Sequence, residues 1–172
     1  MLIAKNALRR KSMKVVLLAG GSGSRLAEET QVIPKPMVEI GGIPIIEHIM
    51  NWYMKFGHTE FIICLGYKGE EIINYFKDYQ IKNSSIKIDS NGKIETIGKE
   101  SKPWKIILAQ TGKDTQTAGR IKKIKKFLKN NENFFMTYGD GLCSINLESL
   151  FQFHISHKKI ATVTAVHPPV RF

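Results

Sequence analysis

The sequence predicts an α/β fold, a layered domain whose mostly parallel sheet is flanked by helices. Three observations lead to it. Short runs of strand length are apolar at neighbouring positions, which suits strands covered on both faces. Segments of helical periodicity alternate with these runs in βαβα order. The 172 residues, 42% hydrophobic and 24% charged, suffice for one sizeable core in a soluble globular chain.

Residues 1–12, MLIAKNALRRKS, are basic and acid-free, with an apolar part too short for a secretory signal. We expect a disordered extension there, ahead of a domain spanning 13–172. KVVLLAG at 14–20 reads as the first buried strand. PIIEHIMNWYMKFG at 44–57 is a helix with Ile45, Ile46, Ile49, Tyr53 and Phe56 near one face, opened by Pro44 and ended by Gly57. FIICLG at 61–66 is the second strand, and GEEIINYFKDY at 69–79 the second helix. SIKIDSNGKIETIG places Ile86, Ile88, Ile94 and Ile97 around Asn91-Gly92, an exposed hairpin. PWKIILAQ at 103–110 resumes a buried strand. RIKKIKKFLKN at 120–130 is a helix with a narrow stripe of Ile121, Ile124 and Leu128. NFFMTYGDG at 133–141 is a strand entering a turn, NLESLFQFHISHKK at 146–159 a helix, and IATVTAV at 160–166 a last strand.

The net charge is +11, but ten of these charges lie in residues 1–12 and 120–129. The rest is near neutral, which argues against a nucleic-acid partner, and the lysines at 120–129 read as the solvated face of a helix. No apolar run approaches the roughly 20 residues needed to span a bilayer, so no membrane partner is expected. Cys64 and Cys143 suit reduced structural thiols in a cytoplasmic protein. His48, His58, His154, His157 and His167 lack metal-site spacing and read as solvated or packing residues. Trp52 and Trp104 read as core or subunit-contact residues.

The chemistry is concentrated in VVLLAGGSGSRLAEETQVIPKPM, residues 15–37. In parallel sheets ligands sit beyond the carboxyl ends of strands, where turns leave backbone N–H groups free. Gly20, Gly21 and Gly23 bare the main chain there for a phosphate, and Arg25 adds a forked, permanent cation. Ser24-Arg25 after Gly23 excludes the Walker pattern, and Leu26 excludes the third glycine of a dinucleotide loop. A plain glycine-rich turn is the alternative. Pro34 and Pro36 bracket Lys35, so we expect the lysine to be presented from a stiff, extended segment.

These residues resemble the N-terminal signature of the sugar-1-phosphate nucleotidyltransferases, a Rossmann-like fold, and within them the branch that transfers cytidylyl groups from CTP. TAGRIKKI, FFMTYGDG and VHPPVRF also match, in order, over 13–172. The resemblance implies that the loop Leu18, Ala19, Gly20, Gly21, Ser22, Gly23, Ser24 and Arg25 wraps the nucleotide. It implies that Arg25 neutralises departing pyrophosphate and Lys35 holds the α-phosphate, the two catalytic residues. Asp140 would bind Mg²⁺, Gly139 would give the nucleotide room, and Thr115 and Arg120 would serve nucleotide binding and cytidylyl specificity. Ser24 stands where the family usually has threonine, and Ala118 where it usually has glycine; both are small enough to keep the loop geometry.

The resemblance further implies CTP and glucose 1-phosphate as partners, CDP-glucose for O-antigen and deoxysugar precursors as product, and a homo-oligomer. Such transfer sets one anion against another, so the catalyst must offset charge and align the attack rather than supply a covalent nucleophile. The family continues past Phe172 with a second metal carboxylate and a sugar-facing lysine, so we expect a C-terminally truncated chain with little turnover alone. The alternatives are a transferase using UTP, dTTP or GTP, or a nucleotide-binding module without turnover.

Overall fold

Lys14–Ala19 forms β1, and Val15, Val16, Leu17, Leu18 and Ala19 are all buried, which requires cover on both faces of the strand. This is seen in a computed structural model that describes residues 12–21, 33–98, 102–130 and 132–167. The chain divides into two compact units, Met1–Leu142 and Cys143–Phe172. The first contains β2 (Glu39–Ile40), β3 (Ile43–Pro44), α1 (Ile45–Lys55), β4 (Glu60–Leu65), α2 (Gly69–Lys77), α3 (Tyr79–Lys82), β5 (Ser85–Ile88), β6 (Ile94–Ile97), β7 (Lys105–Gln110), α4 (Thr117–Ile124) and β8 (Phe135–Tyr138). The second contains α5 (Leu147–His157).

The central sheet has the order β7-β4-β1-β8, and every pairing in it is parallel. The chain moves outward from β1 through β4 to β7 and then returns to the other side of β1. The strand order therefore reverses at β1, and a doubly wound sheet opens its ligand crevice at such a point. The short β2–β3 and β5–β6 pairs are antiparallel and lie outside this sheet. The β5–β6 hairpin is the one expected from Asn91-Gly92, with Ile86, Ile88, Ile94 and Ile97 exposed.

Alternation divides the core in two. Val16, Leu18, Ile62, Cys64 and Ala109 form one cluster with Ile124 of α4, joined by Phe127 and Leu128. On the opposite face Phe135, the register partner of Val15, packs against Tyr53 of α1 and against His58. Ile124 is fully buried. Ile124→Ala should therefore cost about 2–5 kcal/mol through lost transfer energy and a residual cavity, measured by urea unfolding. Burial also pushes the Cys64 thiol up to about 11 against the opposing effect of the Arg120 charge, so Cys64 is an inert core thiol. Cys143 is free and exposed.

Three segments differ from expectation. In α1 the buried face is Ile46, Glu47, Ile49, Met50 and Tyr53, whereas Ile45 and Phe56 are half-buried. A charged residue can turn inward because its neutralisers come from elsewhere: Glu47 accepts hydrogen bonds from Tyr75 Oη and Tyr79 Oη and pairs with Lys102 Nζ at 3.3 Å. The helix expected at 120–130 starts earlier, at Thr117, and gives way to a 3-10 turn at Lys125–Phe127. The tighter turn brings Phe127 and Leu128 onto the Ile124 cluster, and lysines 122, 125, 126 and 129 repel one another at helical spacing.

The third difference is the last strand. Residues 160–166 form none, and Ile160, Val163 and Val166 are exposed. A strand exists by pairing, and among the described residues no ladder partner meets this segment. Thr162 is fastened, its hydroxyl meeting His154 Nδ1 at 2.8 Å and His157 Nε2 at 2.7 Å. Among the described residues no helix is long and apolar enough to cross a membrane.

The Glu47 network predicts an alkaline limit. Burial and Glu47 raise Tyr75 and Tyr79, the latter to about 12. A phenol raised in the folded state lends stability that is full below its unfolded value near 10 and is lost as pH rises toward its folded value. Denaturant midpoints should hold up to about pH 10 and then fall. The fall should be weaker in Tyr79→Phe, which has no phenol to titrate.

Candidate functional site

The carboxyl ends of β1, β7 and β8 border an open cleft of about 770 Å³. Its floor is Leu18, Ala19, Gly20 and Gly21; one wall is Lys113, Asp114, Thr115, Gln116, Thr117 and Arg120; the other is Lys35, Pro36, Tyr138 and Asp140. Every sequence-predicted site residue that the structure describes lies in this cleft, except Gly139, which sits between two members of it. Ser22, Gly23, Ser24 and Arg25 lie outside the described residues.

Lys35 is not on an extended segment. Pro34 is extended, but Lys35–Met37 makes a 3-10 turn closed by Met37 N–H to Pro34 O at 2.8 Å and Val38 N–H to Lys35 O at 3.1 Å. A proline within the first turn of a helix needs no N–H partner, so Pro36 stiffens the turn instead of breaking it. Pro36 is buried. A Cβ at Gly139 would lie 3.1 Å from Pro36 Cγ and 3.3 Å from Ala19 Cβ. Gly139 thus makes room for the Lys35 turn rather than for a ligand directly. Its N–H donates to Leu18 O at 2.9 Å, extending the β1–β8 pairing to the point where Asp140 emerges. Among the described residues, neither the Lys35 ammonium nor the exposed Asp140 carboxylate has a hydrogen-bond or ion-pair partner.

Arg120 is buried on α4, and its guanidinium is committed to the protein. Nη1 donates to Leu65 O at 2.9 Å and Thr111 Oγ1 at 2.6 Å; Nη2 donates to Gly20 O at 2.9 Å and Lys113 O at 3.2 Å. One planar fork thereby ties the exits of β1, β4 and β7 together. The glycine at 20 has a corresponding reason: a Cβ there would fall 2.1 Å from Nη1. At Gly66 it would lie 2.6 Å from Gly20 O. Gly20 is bare so that arginine can reach its carbonyl, while a Cβ at Gly21 would meet none of the described residues within 4 Å, leaving main chain open toward the cleft on that side.

The sequence reading missed Lys113, Asp114, Gln116, Thr117 and Tyr138 as cleft residues. The signal was available for the first four, since TGKDTQT directly follows β7, at the same end of the sheet as the glycine loop. Among the described lining residues, three cations (Lys35, Lys113, Arg120) face two acids (Asp114, Asp140). The cleft offers main-chain donors on its floor, a cation and a carboxylate on one wall, and hydroxyl and amide groups on the other. That set suits a polyanion with an attached polar ring.

The nucleotidyl transferase family model matches residues 14–172. The chain is 46% identical over 161 residues to glucose-1-phosphate cytidylyltransferase of Salmonella typhimurium, covering 93% of this chain and 63% of that protein. It is 47% identical over 161 residues to a probable glucose-1-phosphate cytidylyltransferase of Bacillus subtilis, with the same coverage. It therefore spans less than two thirds of the length of these curated relatives. Among solved structures, HddC from Yersinia pseudotuberculosis complexed with GMP-PN superposes with a TM-score of 0.57 at 28% identity, over 83% of this chain and 54% of that one.

Proposed function

The chain belongs to the nucleotidyl transferase family, and from that premise we propose that it is the nucleotide-binding part of a glucose-1-phosphate cytidylyltransferase. The reaction joins CTP and glucose 1-phosphate to give CDP-glucose and pyrophosphate. The observation that carries this reading is the cleft itself: Lys35 and Asp140, unpartnered among the described residues, both line it beside bare main chain at the strand-order reversal. The choice of CTP rests on the 46–47% identity to cytidylyltransferases.

In the transfer, a phosphate oxygen of the sugar phosphate attacks the α-phosphorus of CTP; that P–O bond forms as the bond to the β-phosphate oxygen breaks, and pyrophosphate leaves. No proton needs to be taken from the attacking anion, so no general base is required. Lys35, fixed by its proline turn, would hold the α-phosphate and offset the charge that accumulates on it. The main chain at Gly21 would receive phosphate oxygens, with Arg25 on the departing pyrophosphate.

Asp140 fits a divalent cation, specifically Mg²⁺: it is a hard-oxygen donor unpartnered among the described residues, and Mg²⁺ takes one or two carboxylates with the rest from phosphates and water. Among the described residues no cluster of three or more potential ligands could hold a metal alone, so the ion would be shared with the triphosphate. When bound it supplies charge neutralisation of the phosphates.

The test is pyrophosphate release from CTP and glucose 1-phosphate with Mg²⁺, comparing CTP with UTP, dTTP and GTP, in a version extended to the length of the curated relatives. CTP should give the highest kcat/KM; a clear preference for another triphosphate contradicts the cytidylyl reading. Asp140→Asn should reduce turnover roughly a hundredfold, partly recovered at raised Mg²⁺ concentration.

A further inference from the structure

The two basic segments of the sequence meet at the end of the sheet away from the cleft. Lys14 opens β1 and alternates with Val16 and Leu18, so it shares the sheet face on which α4 packs. Its ammonium donates to Phe127 O at 2.8 Å. Arg120 of α4, in contrast, donates to carbonyls at the strand exits. The segment from Arg120 to Phe127 thus runs back from the cleft to the amino ends of the strands. The ends of the six-residue β1 are roughly 17 Å apart.

Register adds to this pole. Lys14 pairs with Glu60 and Glu60 with Lys105, so Lys105 lies two strands along the same row and on the same face, about 10 Å from Lys14. Lys125, Lys126 and Lys129 follow in and after the 3-10 turn, and these three and Lys105 are exposed. Two acids stand among the five lysines: Glu60, and Glu132 at 3.9 Å from Lys129. The chain also enters here, with Thr59 N–H donating to Ser12 Oγ at 3.4 Å and Met13 N–H to His58 Nδ1 at 3.2 Å. The four cations of residues 1–11 precede that anchor in the sequence. We infer that this basic pole docks on an anionic lipid headgroup layer and leaves the cleft, at the opposite end, open to solution.

This goes beyond the sequence expectations, which weighed a membrane only as something to span and the lysines of 120–129 only as one helix face. The fold adds Lys14, Lys105 and the point of chain entry to the same surface. Lysines are compact point charges on flexible stems, which suit a fluid array of headgroups with no fixed spacing. Nucleic-acid recognition draws on arginine forks and on several exposed rings for stacking. Here the described cations of the pole are all lysines. One exposed ring, Phe134, leads into β8 beside Lys14, an apolar side chain that a headgroup layer can take in.

The experiment is co-sedimentation of the 172-residue chain with vesicles of phosphatidylcholine alone and of phosphatidylcholine with phosphatidylglycerol, at low ionic strength. Wild type should partition onto the anionic vesicles only and come off as salt is raised. The triple variant Lys125→Gln, Lys126→Gln, Lys129→Gln should lower that partition more than roughly thirtyfold, and Lys105→Gln alone about fivefold. Lys35→Gln, at the cleft end, should leave it within about twofold, because it lies beyond the ~10 Å screening length. Urea midpoints of the triple variant should match or exceed wild type, since like charges at helical spacing are removed. Absence of wild-type partition overturns the inference. A triple variant that partitions like wild type overturns the assignment to this pole. Binding of a single-stranded RNA oligonucleotide without partition onto anionic vesicles overturns it in favour of nucleic acid. None of these outcomes bears on nucleotide binding in the cleft.

Discussion

Arg120→Met is expected to destabilise the chain by about 2–4 kcal/mol and to weaken CTP binding more than tenfold. Two effects oppose each other. Removing a buried cation relieves its desolvation cost, which alone would favour methionine. However, the guanidinium has four acceptors within 3.2 Å, so that cost is already offset in the folded state. Methionine fills the space but leaves carbonyl oxygens of three strand exits converging without their donor. Leu65 O keeps its bonds from Thr111 and Gly20 O keeps the 3.3 Å bond from Tyr67 N, so the loss stops short of complete unfolding. Binding falls further because Gly20 and Lys113 border the cleft. Gly20→Ala should copy the effect: its Cβ would meet the guanidinium at 2.1–2.7 Å, and relief comes only by moving that side chain off its acceptors. Urea unfolding and calorimetry on both variants check this. A Gly20→Ala chain as stable as wild type would contradict the brace.

Lys35→Ala carries the largest expected effect on catalysis. In the extended version, kcat should fall on the order of a hundredfold or more, with a smaller change in CTP affinity, since charge on the transferring phosphoryl group grows during reaction. Stability should change by less than about 0.5 kcal/mol, because Lys35 has no partner among the described residues and the turn is held by Pro34 and Pro36. Equal loss of stability and rate would instead make Lys35 a folding residue. Lys35→Arg should recover only part of the rate, a planar fork being a poor copy of a point charge at a fixed distance.

Much of the fold was legible because its signals are local. Strands β1 and β4 show uninterrupted apolar runs, Asn91-Gly92 shows a hairpin, and Asn146 caps α5 by accepting from Ser149 N at 3.0 Å. What could not be read depends on distant partners. Glu47 faces inward because of Tyr75, Tyr79 and Lys102, which lie 28 to 55 positions further along. Residues 160–166 have a strand composition, yet composition cannot supply a neighbouring strand. The site shows the same division. The glycine loop and PKP were visible as patterns, and among the described residues Gly20, Gly21, Lys35 and Pro36 line the cleft. Yet the patterns did not show that Gly20 accommodates an arginine 100 residues away, or that Gly139 accommodates Pro36. A glycine announces close approach; only the fold says what approaches.

The central claim is that the cleft at the strand exits binds a nucleoside triphosphate, with its phosphates toward Lys35 and Asp140. Amide NMR spectra of the isotope-labelled chain during titration with CTP and Mg²⁺ test it most directly. Saturable shifts should concentrate at Gly20–Gly21, Lys35, Lys113–Thr117 and Tyr138–Asp140, and leave the β5–β6 hairpin unmoved. Saturable shifts centred elsewhere, or no shifts at millimolar CTP, would contradict the claim.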